Sequence, residues 1–224
     1  NLQISLVSHP AFPLRAFGMV HLRQHALRRR KIDVRETLSA VCRISDARPV
    51  KAGLEFDVTT VVSSGSEPVY ESISTNLARG KFGDPVPLPD YAAIPPLDNE
   101  DAGLAKEWRL APNIGRQYAK VSGDYNPIHV SSILAKLFGF RKAIVHGMWS
   151  AARAAAELLP LPEDQGLRAD LVFKGPVFVG SRASMKVEAS QNARRFDVYC
   201  GNNPRPCVAG KVQAVPSDAS LAPA

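Results

Sequence analysis

The sequence predicts an α+β fold made of antiparallel sheet with one long helix in its second half. Three observations carry this: four alternating apolar segments before residue 80, a single alanine-rich amphipathic stretch from Gly147 to Leu159, and four more strand-like segments after it. A chain of 224 residues can bury one large core or two small ones.

In chain order, residues 2–17 are mildly apolar but too broken by Pro10 and Pro13 for a long helix. Strands are expected over Met19–Arg28, Glu36–Ile44, Leu54–Val62 and Val69–Leu77. Asp46, Pro49 and Gly53 mark one connection, and the S-S-G-S-E-P string from Ser63 marks the next. Between Gly80 and Gly103 come Pro85, Pro87, Pro89, Pro95 and Pro96 with neither helical nor strand period, which reads as a surface linker.

The second half opens with an expected strand at Glu107–Leu110 and a helix over Ile114–Val121. A short helix from Ser131 to Leu137 follows a polar turn, with Ser131 as its cap and Gly139 as its stop. In the long helix Met148, Ala151, Ala152, Ala155, Leu158 and Leu159 form an apolar stripe that Pro160 ends. Strands are expected again at Ala169–Lys174, Arg182–Ala189, Arg194–Cys200 and Cys207–Val215. The closing P-S-D-A-S-L-A-P-A is expected to fray.

Composition removes several classes of function. No apolar run approaches the roughly 20 residues that span a bilayer, so no membrane association is expected. The start, N-L-Q-I-S-L-V-S-H-P, lacks the basic flank and apolar core of a secretory signal, and its opening at Asn1 without methionine suggests a processed or incomplete chain. Cys42, Cys200 and Cys207 fit neither a zinc site nor a disulfide framework, which points to a reducing compartment and hence the cytoplasm. His21 and His25 sit four apart with no carboxylate or thiolate ligand nearby in sequence, so no metal is expected there. The net charge of +7, concentrated at Arg28-Arg29-Arg30-Lys31 and Arg194-Arg195, attracts polyanions. Without zinc-finger spacing, a Walker loop or an RNA-binding aromatic motif, nucleic acid is not the expected partner.

Chemistry concentrates between Tyr118 and Met148. In S-G-D-Y-N-P-I-H, Asp124 precedes His129 by five residues, and Gly123, Asn126 and Pro127 favour a turn between them. A helix through Tyr118 therefore stops near Ser122, and the carboxylate and imidazole can converge across the bend on one water molecule. Gly147 opens the long helix, which leaves its N–H unpaired at the positive end of the helix dipole. Alone, Asp124 is most simply a turn former and His129 a structural group.

This string, followed by A-x-x-x-G-F and I-V-H-G-M, resembles the signature of the MaoC-like family, the R-specific enoyl-CoA hydratases or hydratase 2 group. Phe173, Gly175, Pro176, Val177 and Gly180 are similar to the family's following strand and turn. The resemblance implies a hot-dog fold, in which a helix lies across a curved antiparallel sheet. For the whole chain it implies a double hot-dog: a degenerate, catalytically silent N-terminal unit over residues 1–79, a Pro-rich linker over 80–103, a catalytic unit over 104–216, and a tail over 217–224. The implied activity is hydration of trans-2-enoyl thioesters to R-3-hydroxyacyl thioesters, or the reverse, carried on coenzyme A or an acyl carrier protein. It requires neither metal nor redox cofactor.

In that reading Asp124 and His129 are catalytic and the Gly147 amide serves the oxyanion. Asn126, Ser122, Tyr125 and His146 position the loop or the substrate. Thioester hydrolysis and non-catalytic acyl binding are the alternatives on the same scaffold. The expected state is a monomeric pseudo-dimer or a homodimer.

Overall fold

A computed structural model describes residues 2–15, 18–87, 97, 103–158 and 165–221. The first half supplies α1 (Leu2–Val7), β1 (Val20–Arg28), β2 (Leu38–Val50), β3 (Gly53–Ser64) and β4 (Glu67–Arg79). The second supplies β5 (Gly103–Arg109), α2 (Ile114–Ser122), α3 (Pro127–Val130), α4 (Ser132–Leu137), α5 (Gly147–Leu158), β6 (Gly166–Phe173), β7 (Arg182–Ala189), β8 (Ala193–Cys200) and β9 (Val208–Val215). All nine strands join one sheet in the order β2-β3-β4-β1-β6-β9-β8-β7-β5, and every pairing is antiparallel.

At the seam β1 lies against β6, with Arg23 opposite Val172 and Arg28 opposite Leu167. Outward from it the two flanks repeat one strand order: β4, β3, β2 on one side and β9, β8, β7 on the other. Each half thereby hides one edge of the other, and among the described residues open edges remain at β2 and β5.

The larger core lies under α5. Ala151, Ala154 and Leu158 turn their small or branched side chains toward Leu171, Met185, Phe196, Val198 and Val212. The stripe differs in phase from the sequence expectation, because Ser150 and Ala154 are buried while Ala152 is exposed. A smaller cluster of Phe56, Val58 and Ala78 is covered by Leu6, Val7, Phe12 and Leu14. The segment before β1 thus forms a short helix that sequence reading missed, and Gln3 fixes it by donating to Thr60 Oγ1 at 3.1 Å and Ser74 Oγ at 3.0 Å.

Three other expectations change. β2 does not stop at Ile44 but runs to Val50, absorbing Asp46 at φ 47° as a bulge; Pro49 is tolerated because β2 is an edge strand, paired only with β3 among the described strands. β5 begins at Gly103, inside the expected linker end. Of residues 88–102 only Leu97 is described: it is buried, and its N–H donates to Asp197 Oδ2 at 2.9 Å. The expected fraying after Val215 is also absent over the described residues. Arg29 donates to the carbonyls of Ser217 and Ala219, Arg168 donates to that of Ser220, and Leu221 is buried.

Side chains alternate along a strand, so Arg23 and Gln24 face opposite ways on β1. Gln24 faces a cavity described below. Arg23 enters a buried ionic network in which it pairs with Glu55, while Arg48 holds Glu55 at 3.2 Å and Asp57 at 2.9 Å. Thr75 Oγ1 completes it by donating to Asp57 at 2.6 Å. Removing one partner of such a network strands a desolvated charge, so Arg48→Ala is expected to destabilise the fold by about 3–5 kcal/mol in urea denaturation. A loss below about 1 kcal/mol would show that water replaces the guanidinium at no cost.

Candidate active site

The turn after α2 is built by local hydrogen bonds. Gly123 adopts φ 75° and returns its N–H to Ala119 O at 2.8 Å, closing the helix as only a residue without Cβ does readily. Ser122 Oγ donates to Tyr118 O at 2.9 Å and accepts the Asp124 N–H at 3.2 Å. Asp124 Oδ1 then accepts the Asn126 N–H at 3.0 Å, and Asn126 Oδ1 the Ile128 N–H at 3.4 Å. With Asn126 as cap and Pro127 in the first turn, the expected plain bend becomes a single helical turn, α3, that carries His129.

Two imidazoles clasp this loop to the segment before α5. His129 Nδ1 lies 2.9 Å from Ile144 O, and His146 Nε2 lies 3.0 Å from Asp124 O. Both partners are carbonyl oxygens, so these nitrogens carry the protons, and Nε2 of His129 is left with its lone pair. The rings stack with centroids 3.8 Å apart. Burial, and then the neighbouring His146, lower the His129 pKa to about 4. Burial lowers that of His146 as well. Near neutral pH both rings are therefore uncharged.

A carboxylate oxygen of Asp124 and one nitrogen of each histidine all lie within 4.8 Å of one another. Two groups at that separation can each reach one shared water at about 2.8 Å. The same trio has metal-ligating types, but two ring nitrogens are committed to carbonyls and the rings lie face to face.

Gly147 begins α5 directly beyond, where a Cβ would meet the Phe173 ring at 2.8 Å. Glycine is thus required for the strand to close over the helix start. Ser150, on the same helix face, is buried and lines the cavity, and its hydroxyl makes no hydrogen bond. Tyr125 is exposed on the cavity lining, whereas His146 is buried and Asp124, His129 and Gly147 are half-buried.

These residues open into a cavity of about 940 Å³ that continues across the first half, past His21, Gln24, Val58, Tyr70, Ser72 and Asn76. In sequence His21 and His25 sit four apart, a spacing at which no metal site was expected. A bulge between His21 and Arg23 shifts the strand parity, so His21 enters the cavity beside Phe173 while His25 turns away to Asp170 Oδ1 at 2.8 Å. Burial lowers the His21 pKa to about 4, against the pull of the Arg23 carbonyl and the Asp124 charge.

Sequence reading also missed Gly115. A Cβ there would fall 2.0 Å from His129 O, so α2 reaches α3 only because this position is bare. Its one visible signal is a glycine near the start of an otherwise amphipathic helix, which also fits many surface positions. Ser150 was legible as a hydroxyl among the alanines of α5.

Two outcomes follow from this geometry. Gly115→Ala is expected to push α3 away and cost about 1–3 kcal/mol, read as a lowered urea midpoint. His21, His129 and His146 have folded pKa values below the ordinary 6.5, so the unfolded chain binds more protons as pH falls from about 6.5 to about 4. Their contribution to stability is complete above that window and lost through it on acidification. Urea midpoints should drop across it, and less steeply in His21→Phe; equal slopes for both proteins would contradict the neutral His21.

The chain is similar to several known proteins. Residues 99–205 match the family profile described as MaoC like domain. Over 187 residues the chain is 34% identical to 3-hydroxyacyl-thioester dehydratase X of Mycobacterium tuberculosis, an alignment that covers 82% of this chain and 64% of that protein. It is 35% identical over 103 residues to 3-hydroxybutyryl-CoA dehydratase of Methylorubrum extorquens, covering 43% of this chain and 64% of the relative. The chain thus spans just under two thirds of the length of either. A crystal structure of HtdX of Mycobacterium tuberculosis superposes with a TM-score of 0.80 at 27% identity, over 96% of this chain and 82% of that one. In its C-terminal half, with the loop and helix start just described, the chain is thus similar to the MaoC-like family.

Proposed function

We propose that the protein is a hydro-lyase interconverting trans-2-enoyl and R-3-hydroxyacyl thioesters in fatty-acid or related acyl metabolism. The observation that carries this is the spacing of Asp124 and His129, within reach of one water and beside the bare start of α5. The names of the relatives, 3-hydroxyacyl-thioester dehydratase X and 3-hydroxybutyryl-CoA dehydratase, support the same reaction class.

In the hydration direction the shared water attacks C3 and forms its C–O bond. One proton of that water passes through the Asp124 and His129 pair to C2 as the double bond is lost. At pH 7 His129 is neutral, with a lone pair on Nε2, so base and acid are properties of the coupled pair rather than of one residue. Negative charge that builds on the thioester oxygen meets the Gly147 N–H and the dipole of α5, an arrangement typically worth about 3–4 kcal/mol. The Ser150 hydroxyl, on the same helix face, is a second donor for that oxygen. Asn126, Ser122 and His146 hold the loop, and Tyr125 stands at the entrance. No step calls for a metal or a redox cofactor.

The first half, residues 1–79, lacks the dyad and acts as a wall. Over its sheet α1 is only six residues long, and the cavity occupies the space beside it, which suits a long or bulky acyl group. Residues 80–103 link it to the catalytic unit, 104–216, with 217–224 as the tail. The three free cysteines suit the cytoplasm, and among the described residues no helix is long and apolar enough to cross a membrane. One chain holds both halves of the cavity, so a monomeric pseudo-dimer suffices, with further pairing open to the β2 and β5 edges.

Loss of enoyl absorbance from crotonyl-CoA and a longer trans-2-enoyl-CoA, with thiol release followed in parallel, tests the reading. Hydration without thiol release is expected; thiol release would make the protein a thioesterase, and neither signal would leave acyl binding alone. Asp124→Asn and His129→Ala should each lower kcat by about 100-fold or more with unchanged circular dichroism. Near-normal turnover in either variant removes it from the dyad. Activity on the longer substrate should match or exceed that on crotonyl-CoA, and a steady fall with chain length would refute the roomy cavity.

A further inference from the structure

Around the entrance to this cavity the surface is both basic and apolar. Between Asn113 and Ala143 the chain carries Arg116, Lys120, Lys136, Arg141 and Lys142 against one carboxylate, Asp124, which belongs to the site. The same helices leave Val121, Ile133 and Leu137 exposed at 81%, 79% and 78% of their surface. Arg116 ties the helices into one face by donating to Val130 O at 3.0 Å. Leu137 and Phe138 also line a second cavity of about 580 Å³, which shares Met19, Val20, Arg79, Ile128 and Phe140 with the catalytic one. Through Leu137 the patch adjoins a cavity that is continuous in its lining with the catalytic one.

We propose that the face made by α2, α3 and α4 docks an acidic acyl carrier protein, which delivers its thioester through this entrance. The proposal rests on the thioester reading above and selects one of its two carriers. Nucleotide phosphates of coenzyme A call for a few clustered cations and gain nothing from three bare aliphatic side chains. An acidic helical protein covers both, since its carboxylates meet the lysines at the rim and its apolar side chains meet the aliphatic centre.

The experiment uses one trans-2-octenoyl group carried on coenzyme A and on a bacterial acyl carrier protein, in wild type, Lys120→Glu/Lys136→Glu and Val121→Ser/Ile133→Ser. Each pair of changes is expected to lower kcat/KM for the carrier-bound substrate by about 10-fold or more and to leave the coenzyme A substrate within about twofold. Raised salt should selectively weaken the carrier reaction. Equal losses on both substrates, or no loss on the carrier, would overturn the docking face. Fluorescence anisotropy of labelled holo-acyl carrier protein reads the surface without turnover. Lysine-dependent binding by a protein inert toward both thioesters would sink the hydratase reading and keep the surface; turnover of the coenzyme A thioester with no carrier binding would do the reverse. Self-association that Val121→Ser/Ile133→Ser abolishes would give the face to a second copy and overturn the proposal.

Discussion

The site depends on a reciprocal clasp between two short segments. His129 on α3 donates to the carbonyl of Ile144, and His146 donates back to the carbonyl of Asp124, with Ile144 N–H on Ile128 O at 2.9 Å between them. Each bond sets a ring's orientation and its tautomer together, and stacking keeps the two rings in register. Because the partners are neutral carbonyls, burial keeps both imidazoles uncharged, and Asp124 holds its backbone in place while its carboxylate faces the cavity. Closeness to backbone is the recurring means: Gly115 lets α2 reach His129, and Gly147 lets Phe173 reach the helix start.

A second constraint comes from repetition. Both halves use one strand order, yet among the described residues only the second keeps a long helix over its sheet. In the first half the space beside α1 is left to the cavity, lined by strand side chains such as Gln24, Ser72 and Asn76. These polar groups largely satisfy one another, as when Ser74 Oγ donates to Gln24 Oε1 at 2.6 Å and Asn76 donates to Ser74 O at 3.2 Å. Such a wall tolerates a void that bare carbonyls would not.

Local chemistry was legible in the sequence and long-range geometry was not. The stop at Ser122, the opening of α5 at Gly147 and the strand segments follow from turn residues and periodicity, which act over a few positions. The bulge in β1 that sends His21 and His25 to opposite faces arises from pairing with β4, a neighbour dozens of residues away. Pro49 read as a break because edge position is a property of the sheet, not of the segment. The docked tail was hidden for a similar reason: its anchors, Arg29 and Arg168, belong to strands that meet only in the folded chain.

That meeting has a bearing on how the chain assembles. The pairs β2–β3, β3–β4, β7–β8 and β8–β9 close over neighbouring sequence, but the ladder that sets Arg23 against Val172 must wait until most of the second half is made. Until then β1 and β6 are naked borders of matching topology, and β6 of a neighbouring molecule fits β1 as well as its own does. Crowded nascent chains are thus exposed to exchanging halves, and the tail that straddles the junction favours the partner encoded on the same polypeptide.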